Sequence, residues 1–387
     1  MSDAVFSARW LVTDAGVVEW ARIAVDGDGV IVSIERVDAG GAESTTIAPT
    51  FFDVHVHGAA GHDVMEGSGD AFDAIGRFLG THGVGRFLAT TVTAPLDTTL
   101  RALDAIARRI ESSGGDADGA VPVGIHLEGP FLSHAKRGVH PAAEICEPSV
   151  PLFERMWQAS HGTIRLMTVA PEIPGALELI RHASGLGVRV SLGHSDATAA
   201  EARAGMVAGA VSATHMFNAM RRLDHREPGL AGVVLDEDQM WAELICDGVH
   251  VAPEFVRLWM RAKGEERGIL VTDGISATGM PEGEYDLGGL TVAVGAGRCL
   301  LASDLARGVE TLAGSVLTMD RAVENLRRFT GCTLPTAVRM ATRNPARMLG
   351  LDAAGEIGVG QRADFNVFSA EGTLRETVCR GQIVARH

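Results

Sequence analysis

The sequence of 387 residues has little of several residue types, and each scarcity excludes a class of function. Lysine occurs only at Lys136 and Lys263, so a mechanism that needs a buried lysine has almost no candidate. Positive charge is in deficit, with 34 Lys and Arg against 49 Asp and Glu, a net charge of −15 and no long basic run. Nucleic acid would be repelled on average, and we expect no nucleic-acid partner.

Paired cysteines and long apolar runs are also lacking. The five cysteines are far apart and form no CxxC pair, which favours a reduced, cytoplasmic environment. No charge-free apolar stretch reaches the ~18 residues that span a bilayer, so we expect no membrane partner. Charged residues interrupt the first 25 positions, and no signal peptide is expected. Apolar residues still make up 46% of the chain, enough for a large core.

Short apolar, β-branched runs alternate with helical patterns through the middle of the chain. The runs cover residues 51–56, 86–92, 121–127, 164–169, 188–192, 210–214, 241–246 and 269–272. The helical patterns cover residues 71–80, 98–112, 176–185, 199–208 and 253–262, with a final pair at 312–329 and 335–349. The alternation predicts an α/β fold with a (β/α)8 TIM-like barrel, and a doubly wound open sheet is the alternative.

Both ends of the chain read as short strands with turns, and neither end has enough strands to bury a core alone. We therefore predict a small split β-sandwich domain formed by residues 1–50 plus 355–387. The barrel is predicted to occupy residues 51–354, with an insertion at 276–300.

Ionisable residues fall at the ends of the predicted strands. They are His55, His57, Glu128, His194, His215 and Asp273. A single histidine in such a place is more often a core or loop residue, but a barrel gathers all six at its carboxyl-terminal mouth. Imidazoles and carboxylates suit zinc, iron or manganese. Such a metal lowers the pKa of water and polarises a carbonyl, and an aspartate moves the proton, so the set indicates hydrolysis of a C–N bond.

Longer motifs accompany these residues in order along the chain. They are HVHG at 55–58, GIHLEGPF at 124–131, KRGVHP at 136–141, GHSD at 193–196, THMFNAM at 214–220, REPG at 226–229, DGVHV at 247–251, VTDG at 271–274 and LAGSVLTM at 312–319. Together they resemble the N-acetylglucosamine-6-phosphate deacetylases. The segment GEIGVGQRAD at 355–364 resembles the wider amidohydrolase superfamily.

The resemblance implies a metal-dependent deacetylase that releases acetate from N-acetylglucosamine 6-phosphate. It implies that Glu128, His194 and His215 bind the principal metal and that Asp273 is the general base and acid. The retained His55 and His57 allow a second metal, bridged by Glu128. Zinc is the metal expected first, with iron, manganese or cobalt as alternatives and one or two ions per subunit.

The resemblance also implies residues that bind the substrate. His140, on a loop at 132–147 that can act as a lid, would stabilise the oxyanion. Arg226 and His250 would meet the phosphate, with Arg226 reaching across from the neighbouring subunit of a homodimer. From the residues alone, an Arg226–Glu227 surface pair is the alternative. The other implied substrate contacts are Val139, Asn218, Ala219, Leu312, Ala313, Gly314 and Ser315.

Three alternatives stay open at this point. The substrate can be the galactosamine epimer, the enzyme can hydrolyse a cyclic amide, or the barrel can be a non-catalytic scaffold. Residues 164–171 contain no lysine that could be carboxylated, which argues against a dihydroorotase or hydantoinase.

Overall fold

Eight runs of buried, largely apolar residues form one parallel sheet in this computed structural model, which describes residues 4–13, 16–38, 45–112, 118–351 and 355–387. The strands are Phe51–Val56, Val84–Thr91, Val121–Glu128, Ile164–Val169, Arg189–Leu192, Ala210–Ala213, Trp241–Ile245 and Gly268–Val271. Each strand pairs with the next one in the chain, and a bridge between Val56 and Gly274 joins the last strand to the first. The predicted barrel is confirmed, and the doubly wound alternative is wrong.

A buried carboxylate reinforces the seam between the first and the last barrel strand. Thr272 Oγ1 donates to Asp53 Oδ2 at 2.5 Å, and the backbone N–H of His55 donates to Asp53 Oδ1 at 3.3 Å. Burial raises the pKa of Asp53 to about 6, although these hydrogen bonds act to lower it. The backbone N–H of Asp273 donates to the carbonyl of His55 at 2.9 Å, so the seam fixes these two residues side by side.

Amphipathic helices cover the barrel. They are Gly69–Thr81, Leu96–Ser112, Val150–Ala159, Ala176–Gly185, Ala199–Ala208, Gly229–Asp236, Pro253–Arg267, Met319–Thr330, Leu334–Met340 and Arg343–Leu349. The short helix Ala302–Leu305 lies against the predicted insertion instead. Side-chain caps at Ser68, Ser149 and Thr198 accept hydrogen bonds from first-turn N–H groups and fix where three of these helices begin. The sequence-based prediction omitted Val150–Ala159 and Gly229–Asp236.

The final helical pair differs from its prediction in two ways. The first helix begins at Met319, not at 312, because Leu312 and Ser315 form bridges to Leu300 and Gly274. These bridges hold residues 312–318 at the mouth of the barrel. The second predicted helix is two helices, since Thr342 has φ −134° and ψ −82° and interrupts the helical backbone.

The two chain ends build a separate seven-stranded sheet, as the split β-domain prediction requires. Its strands are Ala4–Thr13, Gly16–Val25, Ile31–Arg36, Thr46–Pro49, Phe365–Phe368, Leu374–Cys379 and Gln382–Arg386. Thr46–Pro49 pairs with strands from both ends of the chain and so joins them. The sheet has its own apolar cluster, distinct from the barrel core. The residue limits of the two predicted domains stay a prediction.

The predicted insertion forms a three-stranded antiparallel sheet beside the mouth, with strands Gly283–Leu287, Leu290–Gly295 and Arg298–Leu301. Leu287 and Val292 pack in one apolar cluster with Val139 of the 132–147 loop. The insertion thus supports the loop that carries His140.

Shorter elements are the strands Gly58–Ala59 and His62–Asp63 and the 3-10 helices Val64–Glu66, His134–Lys136 and Ala142–Glu144. Across the described ranges, none of the helices has the length and apolarity to cross a bilayer.

Candidate active site

The strand ends bring all six predicted ionisable residues to one buried place at the mouth of the barrel. None of the six is more than 8% exposed as a residue. Three of them have left-handed backbone although they are not glycine, with φ of 47° at His194, 26° at His215 and 52° at Asp273. Such backbone is unfavourable for L-residues, and it concentrates at functional sites where the surroundings hold it in place. Strand ends alone would not impose it.

Glu128 lies at the centre, with one carboxylate oxygen toward each pair of histidines. Its Oε2 is 3.2 Å from His57 Nε2 and 3.5 Å from His55 Nε2. Its Oε1 is 3.3 Å from Nε2 of both His194 and His215. Two ligand atoms that each lie about 2.1 Å from one zinc ion are about 3.0–3.4 Å apart at octahedral to tetrahedral angles. The observed separations match the spacing of ligands around shared ions.

The groups behind the rings turn nitrogen lone pairs toward this centre. His57 Nδ1 is 3.0 Å from the carbonyl of Thr90, and His194 Nδ1 is 2.9 Å from the carbonyl of Lys136. A carbonyl oxygen only accepts, so each Nδ1 carries a proton, and in the neutral ring each Nε2 keeps its lone pair. His55 Nδ1 faces the Glu243 carboxylate at 3.3 Å in the same way.

Besides His215 Nδ1, two buried atoms at the centre of the cluster lack hydrogen-bond partners within the described parts of the chain. They are His55 Nε2 and Glu128 Oε1. A buried polar atom without a partner is costly, and here both atoms are of types that bind divalent cations. The donor set therefore fits a divalent metal, and the two oxygens of Glu128 offer room for two ions.

The charges of the cluster point the same way. Burial acts to lower the pKa of His55 and His57, but the nearby Glu128 and Asp273 carboxylates outweigh it. The pKa of His55 is raised well above its ordinary value, and that of His57 rises to about 9. Burial opposes the charge on the two carboxylates as well, yet the histidines hold the pKa of Glu128 and Asp273 below the ordinary range. This place attracts positive charge, whether protons or a metal ion.

His140 lies beside the cluster but differs from the four histidines at its centre. Its Nε2 is 3.8 Å from Glu128 Oε2, and its Nδ1 is 2.8 Å from Thr93 Oγ1. Burial and the neighbouring His194 lower the pKa of His140 to about 3, so the ring is neutral at ordinary pH. His126 lies nearby and contacts Thr168 Oγ1 at 2.8 Å. It also contacts Thr90 Oγ1 at 3.3 Å, so it is a satisfied core histidine.

A cavity of about 330 Å³ opens in front of this cluster. Its lining includes the predicted Val139, His140, Asn218, Ala219, His250, Leu312 and Gly314. Ala313 and Ser315 do not line it. Ala313 packs in the insertion core, and Ser315 Oγ donates to the carbonyl of Thr272 at 2.6 Å. Leu312 and Gly314 thus face the cavity while Ala313 and Ser315 face away from it, which the motif alone did not reveal.

The two predicted phosphate ligands lie in different settings. His250 lines the cavity, and its Nδ1 is 2.6 Å from Asp247 Oδ2. Burial acts to lower the pKa of His250, but the hydrogen bond with Asp247 outweighs it and raises that pKa. Arg226 is exposed on the loop before helix Gly229–Asp236 and does not line the cavity of its own chain.

Sequence reasoning missed several residues that shape the site. Glu243 is completely buried and links two residues of the cluster, since its Oε2 faces His55 Nδ1 and accepts from the backbone N–H of His215, both at 3.3 Å. A carboxylate inside the buried run WAELI at Trp241–Ile245 was the available signal. The missed cavity residues include Val92, Leu287, Glu310 and Thr311.

The barrel and this buried cluster define a class of protein, the barrel hydrolases that use a divalent metal. The comparison with known families is more specific. The chain belongs to the amidohydrolase family, whose sequence model matches residues 46–384. Amidohydrolases generally depend on a divalent metal, in agreement with the donor set seen here.

Several similar proteins are named as deacetylases of N-acetylated hexosamine 6-phosphates. The chain is 38% identical over 384 residues to the N-acetylgalactosamine-6-phosphate deacetylase of Escherichia coli O157:H7, covering 98% of this chain and 99% of that protein. It is 35% identical over 381 residues to the N-acetylglucosamine-6-phosphate deacetylase of Bacillus subtilis (strain 168), covering 96% and 95%. A solved structure of the N-acetyl-D-glucosamine-6-phosphate deacetylase of Mycobacterium smegmatis, an aspartate-to-alanine mutant with N-acetyl-D-glucosamine-6-phosphate, superimposes with a TM-score of 0.92 at 33% identity and full coverage of both chains.

Proposed function

We propose that this protein hydrolyses the N-acetyl group of N-acetyl-D-glucosamine 6-phosphate to give D-glucosamine 6-phosphate and acetate, in amino-sugar catabolism and recycling. The observation that carries the proposal is Glu128 held between two pairs of histidines at the mouth of an amidohydrolase barrel. Relatives of this name over nearly the full length supply the substrate class. Release of acetate from the phosphosugar by metal-loaded protein is the test, and no release with any divalent metal would favour a scaffold role.

The metal would be held by Glu128, His194 and His215, with His55 and His57 available to a second ion. We expect zinc, with iron, manganese or cobalt as alternatives. When bound, such an ion polarises the amide carbonyl and lowers the pKa of water. Metal analysis of protein purified without chelator would give both the element and the number of ions per subunit.

Asp273 is the proposed general base and acid. Its side chain is 11% exposed, so one face reaches the cavity while Oδ1 lies 3.2 Å from His57 Nε2. Asp273 takes a proton from water as the water oxygen attacks the acetyl carbon. It then gives that proton to the sugar nitrogen as the C–N bond breaks, leaving acetate and a free amine. His140 is proposed to donate a hydrogen bond to the oxygen that becomes negative.

The phosphate carries more negative charge than the basic side chain outside the cluster, His250, can balance in the cavity of its own chain. Among the described residues, neither an arginine nor a lysine lines the cavity, and His250 is the basic side chain left for the phosphate. We propose that Arg226 of a second copy completes the site in a homodimer, since a guanidinium binds phosphate in a bidentate manner.

Mixed dimers test this arrangement in trans. Arg226→Ala and Asp273→Asn homodimers are each expected to be nearly inactive. Mixing and reassembling the two should restore activity, because one site of each mixed dimer has both Asp273 and the partner's arginine. No recovery in verified mixed dimers would show that Arg226 acts within its own chain or not at all.

The galactosamine epimer is the second candidate substrate, because an N-acetylgalactosamine-6-phosphate deacetylase is 38% identical to this chain. Comparing kcat/KM for the two epimers, each with and without the 6-phosphate, separates them. A cyclic-amide hydrolase would show no gain from the phosphate.

We also propose a cytoplasmic location, in keeping with five free cysteines.

A further inference from the structure

At His140 the backbone group behind the ring is a hydrogen-bond donor, whereas at His57 and His194 it is an acceptor. Behind His57 and His194 lie the carbonyls of Thr90 and Lys136, which only accept hydrogen bonds. Behind His140 lies the backbone N–H of Thr93, which only donates, at 3.3 Å from Nδ1. In a neutral imidazole one nitrogen accepts and the other carries the proton. The ring of His140 therefore has its proton on Nε2, opposite to the arrangement at His57 and His194.

We infer that Thr93 is a positioning residue that holds His140 in the Nε2–H tautomer, so that this ring donates a hydrogen bond into the cavity instead of binding metal. The inference rests on the proposed deacetylase function and adds to it the residue that sets the direction of the hydrogen bond. It also excludes His140 from the candidate metal group that its proximity to Glu128 and His194 suggests.

The position of the Thr93 hydroxyl is fixed by its surroundings. Thr93 is 2% exposed, and its Oγ1 is 2.8 Å from His140 Nδ1. A Cβ at Gly129 would lie 2.1 Å from that Oγ1, so only glycine leaves the space the hydroxyl occupies. On the other side, Arg137 Nη1 donates to the carbonyl of His140 at 2.8 Å. Ring and hydroxyl are thus held against each other from both sides.

The orientation matters because His140 Nε2 faces the cavity close to Glu128. A proton on Nε2 stabilises an oxyanion there, whereas a lone pair repels it. Removing one oxyanion donor outright costs about 10²–10³ in kcat. Loss of the Thr93 hydroxyl leaves the backbone N–H in place, so we expect a smaller fall of about tenfold, in kcat and not in KM.

The kinetic test compares Thr93→Val, which replaces the hydroxyl with a methyl of similar size, with Thr93→Ser, which keeps it. Metal-loaded enzymes are assayed with the N-acetyl and the N-trifluoroacetyl phosphosugar. The fluorinated oxyanion is less basic and depends less on a hydrogen-bond donor. Thr93→Val should lower kcat about tenfold for the acetyl substrate and about two- to threefold for the fluorinated one, and Thr93→Ser should restore both. Equal losses on both substrates, or none, would overturn the inference.

A spectroscopic test does not depend on activity. In protein labelled with 15N-histidine, the His140 signals are those missing from His140→Gln. Wild type and Thr93→Ser should show an unprotonated Nδ1 and a protonated Nε2, and Thr93→Val a mixture of tautomers. A protonated Nδ1 in wild type overturns the inference even if the enzyme deacetylates. Failure of the proposed function would appear separately, as wild type without acetate release.

Discussion

The two histidine pairs around Glu128 are built differently. His55 and His57 come from one strand, and both face two carboxylates, Glu128 and Asp273, at 3.2 to 3.5 Å. His194 and His215 come from separate strands on left-handed backbone and share the single oxygen Oε1, with their Nε2 atoms 3.1 Å apart.

The difference indicates separate roles for the two pairs. Protons on the two imidazoles of the first pair can balance the negative charge of the nearby carboxylates, because these carboxylates raise the pKa of both imidazoles. The two rings of the second pair share a single carboxylate oxygen, Glu128 Oε1, so this pair depends more on a metal ion. We therefore expect the second pair to hold the principal metal, and the first pair to tune Asp273 and to accept a second ion.

The largest expected effect comes from a substitution of Asp273, the carboxylate that contacts His55 and His57 of the first pair. Asp273→Asn keeps the shape of the side chain but cannot take a proton, so kcat should fall by about 10³–10⁴. Metal content and phosphosugar binding, measured by elemental analysis and calorimetry, should be retained. Asp97→Asn, at an exposed helix position, is the control. A fall of less than tenfold in kcat would remove Asp273 from the mechanism.

Ligand substitutions in the two pairs test the comparison directly. His194→Gln should lose the principal metal and reduce activity by more than the ~10–100-fold typical of an outer-shell change. His57→Gln should lose at most the second ion. Metal content per subunit and thermal stability with and without added zinc report both effects, and His82→Gln controls for surface changes because His82 pairs with Asp320 away from the cluster. Equal metal loss in both variants would contradict the assignment of the principal site.

Sequence reasoning predicted the strand-end residues because parallel strands bring their carboxyl ends to one place regardless of their separation in the chain. It could not predict the roles of Glu243 and Thr93, because those roles depend on which neighbouring strand or loop each side chain faces. Residues 312–318 show the same limit. Their apolar spacing predicted a helix, but bridges to Leu300 and Gly274 keep them out of helical conformation, and no local pattern encodes such pairing.

Glu243 connects the two pairs, because its carboxylate contacts His55 and the backbone of His215. Glu243→Gln should weaken metal binding about 10–100-fold, since the amide no longer holds the proton on His55 Nδ1 by charge. Competition with a chelating indicator measures the affinity without reference to activity. Glu284→Gln, on an exposed strand of the insertion, is the matched control. If Glu243→Gln binds metal as tightly as wild type, the two pairs are not coupled through this residue.

The smallest effect concerns His250, which lies in the cavity but outside both pairs. Its pKa is raised because the hydrogen bond with Asp247 outweighs burial, so the imidazolium persists to higher pH than in a free histidine. As pH rises through that pKa the positive charge is lost, and KM for the phosphosugar should increase by up to about tenfold. KM for the unphosphorylated sugar should stay flat over the same range, and His250→Asn should abolish the pH dependence for the phosphosugar. A pH dependence shared by both sugars would instead place the titrating group among the contacts that the two substrates have in common, away from the phosphate.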